Sequence, residues 1–325
     1  MQERTFQMID PQGIAVHVYE WLPHDITIKR GLRGIVQLSH GMSETAARYA
    51  RLASALTAQG YAVYGNDHRG HGQTAASVHE LGDPGEDGFY WMGQNLSQLS
   101  KWIRQQYPGL PLFLFGHSMG SFVVQQLMYS EPDDYAGFML SGSSGARGLL
   151  STGARIADLE HKLHGPLHRS LLLHALVFGA YNRGLPRPLA TRFDWLSRDP
   201  EEVLQYVNDP YCAKPVSVRF YVHFFRLLME IHRPEHMRRI PKHKPIYLFS
   251  GDCDPVGLYG KGVRRLYEQY RKLQLSDVEL KLYPGARHET LNDINRDEVT
   301  ADLLHWLERH CTAPAQVTYA QQQSR

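Results

Sequence analysis

The run "FLFGHSMGSFVV", residues 113–124, sets one serine between two glycines, with apolar chain on either side. A hydroxyl at such a corner, between an extended run and a helical run, is exposed and able to attack. The chemistry would be nucleophilic catalysis by Ser118. A serine hydroxyl is a weak nucleophile at neutral pH, so it needs a histidine to take its proton and a carboxylate behind that histidine. A second corner, "SGSSGARG" at 141–148, is the weaker candidate, because Ala146 stands where the last glycine should and no clear helix follows Ser144.

The base and the acid are sought downstream. In the α/β-hydrolase arrangement the order along the chain is Ser, acid, His, with the acid at a late strand end and the base after the last strand. "LFSGDCDPVG" and "LYPGARHETL" occupy those places, which makes His288 the candidate base. Asp252 and Asp254 both follow the strand-like "PIYLFSG". Asp254 lies further into the loop and is stiffened by Pro255, so it is the favoured acid, with Asp252 left as a turn or capping residue. A tetrahedral oxyanion needs two backbone donors, one after the nucleophile and one after the third strand. The amides of Met119 and Met42 fill those positions, and Gly41 in "SHGMSE" allows a close approach.

Elements that would hold these groups are legible in outline. "TFQMID" and "IAVHVYEWLP" flank the turn Pro11-Gln12-Gly13 as an opening hairpin, and "GIVQLSHG", "YAVYGND", "LPLFLFG" and "YAGFMLSG" read as buried strands. Apolar residues at helical spacing, Tyr49, Leu52 and Leu56, then Met92, Leu96, Leu99 and Ile103, mark helices between them. Strands alternating with helices predict a mostly parallel sheet covered on both faces. From 146 to 240 the alternation stops and only helical stretches remain, so the expected organisation is a core of 1–145 and 241–311 with a helical cap at 146–240. "LLLHALVF", residues 171–178, is apolar on nearly all sides and reads mainly as a buried helix of that cap, with part of an apolar wall for an acyl chain as its other use. Residues 312–325 read as a flexible tail.

The pieces "HGMSETAARY", "NDHRGHGQT", "GHSMGS", "SGDCDPVG" and "GARHETLND" resemble the α/β-hydrolase branch of monoacylglycerol lipases and bacterial lysophospholipase-like serine esterases. The likeness spans roughly residues 10–310. It implies an α/β-hydrolase fold with a cap inserted after the sixth strand, and a serine esterase acting on acyl esters through an acyl-enzyme. Ser118, Asp254 and His288 match the family's triad positions, and Met42 and Met119 its oxyanion amides. Met42 and Thr74 stand where many relatives have a smaller residue and a serine. Asp67, Arg69, Gly70 and Gly72 match a motif that supports the neighbouring loop.

Composition limits the partners. The 325 residues carry a formal charge of +2 with the two signs interspersed, which argues against a nucleic-acid surface and for a small or apolar partner. No run approaches the roughly 18 apolar residues of a membrane span. Cys212, Cys253 and Cys311 are few and widely spaced, so the expected setting is the cytoplasm, without disulfides. His161, His164 and His168 are spaced like ligands, but Gly165-Pro166 interrupts their helix, and neither metal nor organic cofactor is expected. The basic stretch 232–245 reads chiefly as a solvated return to the core, with transient contact at a membrane surface as its other use. The alternative activity is an aminopeptidase of the proline iminopeptidase type, which would need cap carboxylates such as Asp158, Glu160, Asp194, Glu201 or Glu202 to hold an ammonium. The remaining alternative is a non-catalytic binding protein on this fold.

Overall fold

The computed structural model describes residues 1–24, 31–146, 148 and 150–311. The expected tail at 312–325 lies outside them. Eight strands form one sheet: β1 (Gln2–Ile9), β2 (Ala15–Leu22), β3 (Gly34–Ser39), β4 (Tyr61–Asn66), β5 (Leu112–His117), β6 (Gly137–Ser141), β7 (Ile246–Gly251) and β8 (Val278–Tyr283). Their spatial order is β1-β2-β4-β3-β5-β6-β7-β8. The opening hairpin β1–β2 is antiparallel and adds to β4 antiparallel, while β4, β3, β5, β6, β7 and β8 run parallel.

Both faces of β3 to β7 are buried, which explains why these strands are mostly apolar runs, whereas the edge strand β8 alternates apolar and charged residues and is only partly buried. Along β5, Leu112 and Leu114 face one core and Phe113 and Phe115 the other. The first core is covered by α2 (Gly88–Gln106), α3 (Met119–Ser130) and α9 (Lys261–Lys272) through Leu96, Val123 and Leu266. Opposite them, α1 (Ala50–Ala58) and α10 (Arg296–His310) bring Leu52, Leu56, Leu303 and Trp306.

Between β6 and β7 the described residues form helices and irregular chain but no strand: α4 (Leu150–His164), α5 (Leu171–Phe178), α6 (Pro200–Asn208), α7 (Val218–Glu230) and α8 (Pro234–Met237). Helix α7 anchors this segment, with Phe220 and Phe224 packed on Phe89 and Phe122 of the core. Helix α5 is only in part the buried helix favoured from sequence. Leu173 is buried, but Leu171 is 84% exposed, Leu172 56% and Leu176 53%. Leu171, Leu176, Val177 and Phe178 instead line the cavity over the carboxyl ends of the strands, the helix's other expected use.

The sheet also has a switch point. After β3 the chain turns outward to β4, and β5 then returns to the other side of β3. A crevice opens at the carboxyl ends of the strands on either side of such a reversal, and ligand sites of open α/β sheets lie there. The loops carrying Met42 and Ser118 leave those two strands.

Candidate active site

Ser118 lies between the last residue of β5 and the first of α3, with φ 50° and ψ −120°, a backbone conformation that side chains avoid. Close packing holds it there. A Cβ on Gly120 would come 2.1 Å from Ser39 O, and one on Gly116 would come 2.7 Å from Gly120 O, so the corner requires both glycines. Ser118 N–H donates to Ser141 O at 2.9 Å, and Ser121 Oγ donates to Ser118 O at 2.6 Å. The hydroxyl is thereby lifted from the sheet: residues 117 and 119 are buried while Ser118 is partly exposed. Ser144 lies in buried chain after β6 and has no such strained backbone, although it lines the same pocket.

Asp254 follows β7 and is fully buried. Its Oδ1 accepts from Val256 N–H at 2.8 Å, and its Oδ2 accepts from Ser250 Oγ at 2.9 Å. The same Oδ1 lies 3.0 Å from His288 Nδ1. Burial alone would raise the Asp254 pKa, yet it is held below the ordinary carboxylate value by His288, the Ser250 hydroxyl and the Val256 amide. Asp252 instead accepts from Gly285 N–H at 2.7 Å and so braces the turn leading to His288.

His288 reaches this place because the loop after β8 lies directly on the end of β7. A Cβ on Gly251 would come 1.9 Å from Ala286 O. Trp195, from the segment between β6 and β7, packs on the imidazole at 5.1 Å, and His117 at 4.7 Å on another side. Backbone bonds from Glu289 N–H to Leu196 O and from His288 N–H to Trp195 O tie the loop to the same segment.

On the far side of Ser118 a Cβ on Gly41 would lie 3.3 Å from Ser118 Cβ, so the chain entering Met42 passes beside the serine. Among the described residues the Met42 and Met119 amides donate to no other group. Ser118, His288, His117, Met42 and Met119 line one pocket of about 870 Å³. Leu150, Phe122, Phe224, Phe225, Leu228 and Val177 supply apolar wall, and Glu44, Glu289, Lys214 and Arg192 supply charge. Its size and largely apolar lining suit an acyl chain.

The structure brings Ser118 and His288 to one pocket and sets Asp254 beside His288, while the other charged groups here were not singled out from sequence. Arg48 grips Glu289 through two bonds, at 2.8 and 2.7 Å, and Glu44 through one at 2.6 Å. The only signal was their presence in "HGMSETAARY" and "GARHETLND". Asp67 accepts from the Ala46 and Gln73 amides at 2.9 and 2.8 Å, which is loop support. Asp277, Glu279 and His310 are grouped closely enough to hold a cation, but none lines the pocket, and Arg309 already occupies Glu279.

Histidines pack beneath the loop bearing Met42. His40, His71 and His117 are buried, and burial lowers their pKa values to about 4, 3 and 4; it carries His68 well below the ordinary value. Between pH 6.5 and about 4 the unfolded chain therefore binds more protons at these sites than the native one, so stability falls as pH falls through that window. One histidine moved from 6.5 to about 4 accounts for ~3 kcal/mol over the whole range. Burial raises Asp67 to about 6, which works the other way but for one proton only. The melting temperature should drop steeply between pH 6.5 and 4.5; a flat profile there would show that these histidines titrate normally.

The sequence model of the serine aminopeptidase family S33 matches residues 31–295. Monoacylglycerol lipase of Mycolicibacterium smegmatis is 29% identical over 284 residues, covering 86% of this chain and 89% of that protein. The monoglyceride lipase homologue of monkeypox virus is 31% identical over 280 residues, covering 85% and 88%. Among solved structures, a thermostable carboxyl esterase from Bacillus coagulans in complex with glycerol superimposes with a TM-score of 0.87 at 30% identity, covering 96% of this chain and all of that one. The chain therefore belongs to the S33 family of α/β-hydrolases, on its monoacylglycerol-lipase-like side, and is a carboxylic ester hydrolase.

Proposed function

We propose that Ser118, His288 and Asp254 carry out the ester cleavage, and that the Met42 and Met119 amides hold the oxyanion. The carrying observation is the strained corner at Ser118, opening into the same pocket as a histidine 3.0 Å from a buried aspartate. Ser118 Oγ bonds to the acyl carbon as its proton passes to His288, and the carbonyl oxygen becomes an anion facing the two amides. The C–O bond to the alcohol breaks as His288 returns the proton to that oxygen. Water then repeats the sequence against the acyl-enzyme, aided by the same histidine. Asp254 keeps the imidazole oriented and supports its positive charge.

The substrates in this reading are monoacylglycerol- or lysophospholipid-type acyl esters, and residues 146–240 form a cap that supplies most of the apolar wall. Leu171, Leu172 and Leu176 of α5, with Leu159, Leu163 and Leu167 nearby in the chain, are all more than half exposed. Such a surface fits transient contact with a lipid layer holding the substrate. No helix among the described residues is long and apolar enough to span a membrane. The setting in this reading is the cytoplasm, with Cys212, Cys253 and Cys311 as free thiols.

An aminopeptidase is less well supported. None of Asp158, Glu160, Asp194, Glu201 and Glu202 lines the pocket. Asp194 is consumed by its own turn, and Glu202 by Arg51. The pocket's carboxylates, Glu44 and Glu289, are both committed to Arg48. An ammonium entering there would lose water without gaining a partner. Initial rates on medium-chain monoacylglycerols, lysophospholipids, nitrophenyl esters and aminoacyl anilides, each free and with lipid vesicles, test the reading. Acyl esters should exceed aminoacyl anilides by at least about a hundredfold in kcat/KM. Faster turnover of the anilides would overturn it, and an unchanged rate on vesicle-borne ester would remove the membrane contact.

A further inference from the structure

The loops on either side of Ser118 are joined by a buried chain of charges. Glu289 follows His288 directly, and its carboxylate receives the paired bonds from Arg48. Arg48 also bonds Glu44 Oε2, while Glu44 Oε1 accepts from Tyr49 OH at 2.8 Å and from the Gly41 amide. Glu44 and Glu289 are 3% and 5% exposed, and the ring of Tyr206 covers the guanidinium at 4.9 Å. Burying three charges is a poor way to gain stability, but a planar guanidinium fixes the orientation of both carboxylates it bridges. What hangs from its end is the oxyanion loop. With Gly41 N–H tied to Glu44 and Gly41 O accepting from His40 Nδ1–H at 2.8 Å, both peptide planes at Gly41 are held, and the second carries the Met42 amide.

We propose that Glu289, acting through Arg48 and Glu44, is a positioning residue for the Met42 oxyanion amide, so that the loop bearing His288 and the loop bearing Met42 are set in register by one ion-pair relay. The inference rests on the roles given above to Ser118, His288 and Met42. Burial would raise the Glu289 carboxyl, yet the Arg48 guanidinium holds it low, at about 2. Its partners are 241 residues apart in sequence, so no local turn does this work in its place.

The test uses Glu289→Gln, Glu44→Gln and the double variant, with kcat and KM on a short soluble ester and the inhibition constant of a trifluoromethyl ketone, which forms a tetrahedral oxyanion on the serine. Each single variant should lose about 10- to 100-fold in kcat, keep KM within about threefold, and bind the ketone more weakly by a factor like its loss in kcat. Because both act through Arg48, the double variant should lose no more than about threefold beyond the worse single. Glu289→Asp keeps the charge but shortens the reach, and should fall between wild type and Glu289→Gln; it carries the test if Glu289→Gln does not fold. Folded variants with wild-type kcat and ketone affinity, or losses that multiply in the double variant, overturn the relay. Failure of a fluorophosphonate to label Ser118 in the wild type would instead overturn the assignment beneath it.

Discussion

Ser118→Ala should abolish turnover, lowering kcat by about 10⁵- to 10⁶-fold, and should remove the single site at which a fluorophosphonate labels the wild-type protein. The size of the effect follows from what is lost. On the proposed mechanism, without the hydroxyl His288 has no proton to take and no acyl-enzyme forms, so only background hydrolysis remains. Stability should hardly change, because alanine meets the same backbone strain at φ 50° and ψ −120° and no helix or strand bond depends on the hydroxyl. Ser118→Gly should be equally inactive yet more stable than Ser118→Ala by about 1 kcal/mol, since glycine tolerates that conformation. Intact-mass and peptide mapping of the labelled protein locate the adduct. Label on Ser144, which lines the same pocket, or residual turnover near wild type in Ser118→Ala, would move the nucleophile elsewhere.

How much of this was legible in sequence depended on how local each constraint is. The serine corner was readable because glycine, serine and glycine within five residues encode a strained turn whose neighbours are β5 and α3. The sheet was readable because buried parallel strands must be continuous apolar runs. Helix α5 was legible only as a choice between burial and an apolar wall, because an apolar sequence reports a preference for leaving water and does not name the surface that receives it. Leu173 is buried, while Leu171 and Leu176 line the pocket and stay largely exposed. The relay from Glu289 through Arg48 to Glu44 was invisible for the opposite reason. Its residues are ordinary charged residues one by one, and only the crossing of two loops far apart in sequence gives them meaning. The position of Trp195 against His288 was equally hidden, since it depends on the course of irregular chain between β6 and β7.

The two aspartates after β7 give the second large effect. Asp254→Asn should lower kcat by about 10³-fold or more, with little change in folding, whereas Asp252→Asn should leave kcat within about tenfold of wild type and cost at most ~1 kcal/mol of stability. Asp254 Oδ1 faces both His288 Nδ1 and the Val256 amide, so an asparagine can keep its oxygen there and turn its nitrogen to Ser250. The shape survives but the negative charge does not, and an imidazolium forming on the buried His288 then has no counter-charge. If the amide turns the other way, its N–H₂ meets Nδ1, which selects the tautomer unable to accept the serine proton. Either orientation damages kcat more than KM, because the charge on His288 develops only on the way to the tetrahedral state. Asp252 supports Gly285 N–H through a single oxygen that asparagine also possesses, so its substitution leaves the turn standing. Steady-state kinetics and melting temperatures of the two variants decide between them. An inactive Asp252→Asn beside an active Asp254→Asn would transfer the acid role to Asp252, and full activity in both would place the acid on another strand end, with the loop after β6 the next to test.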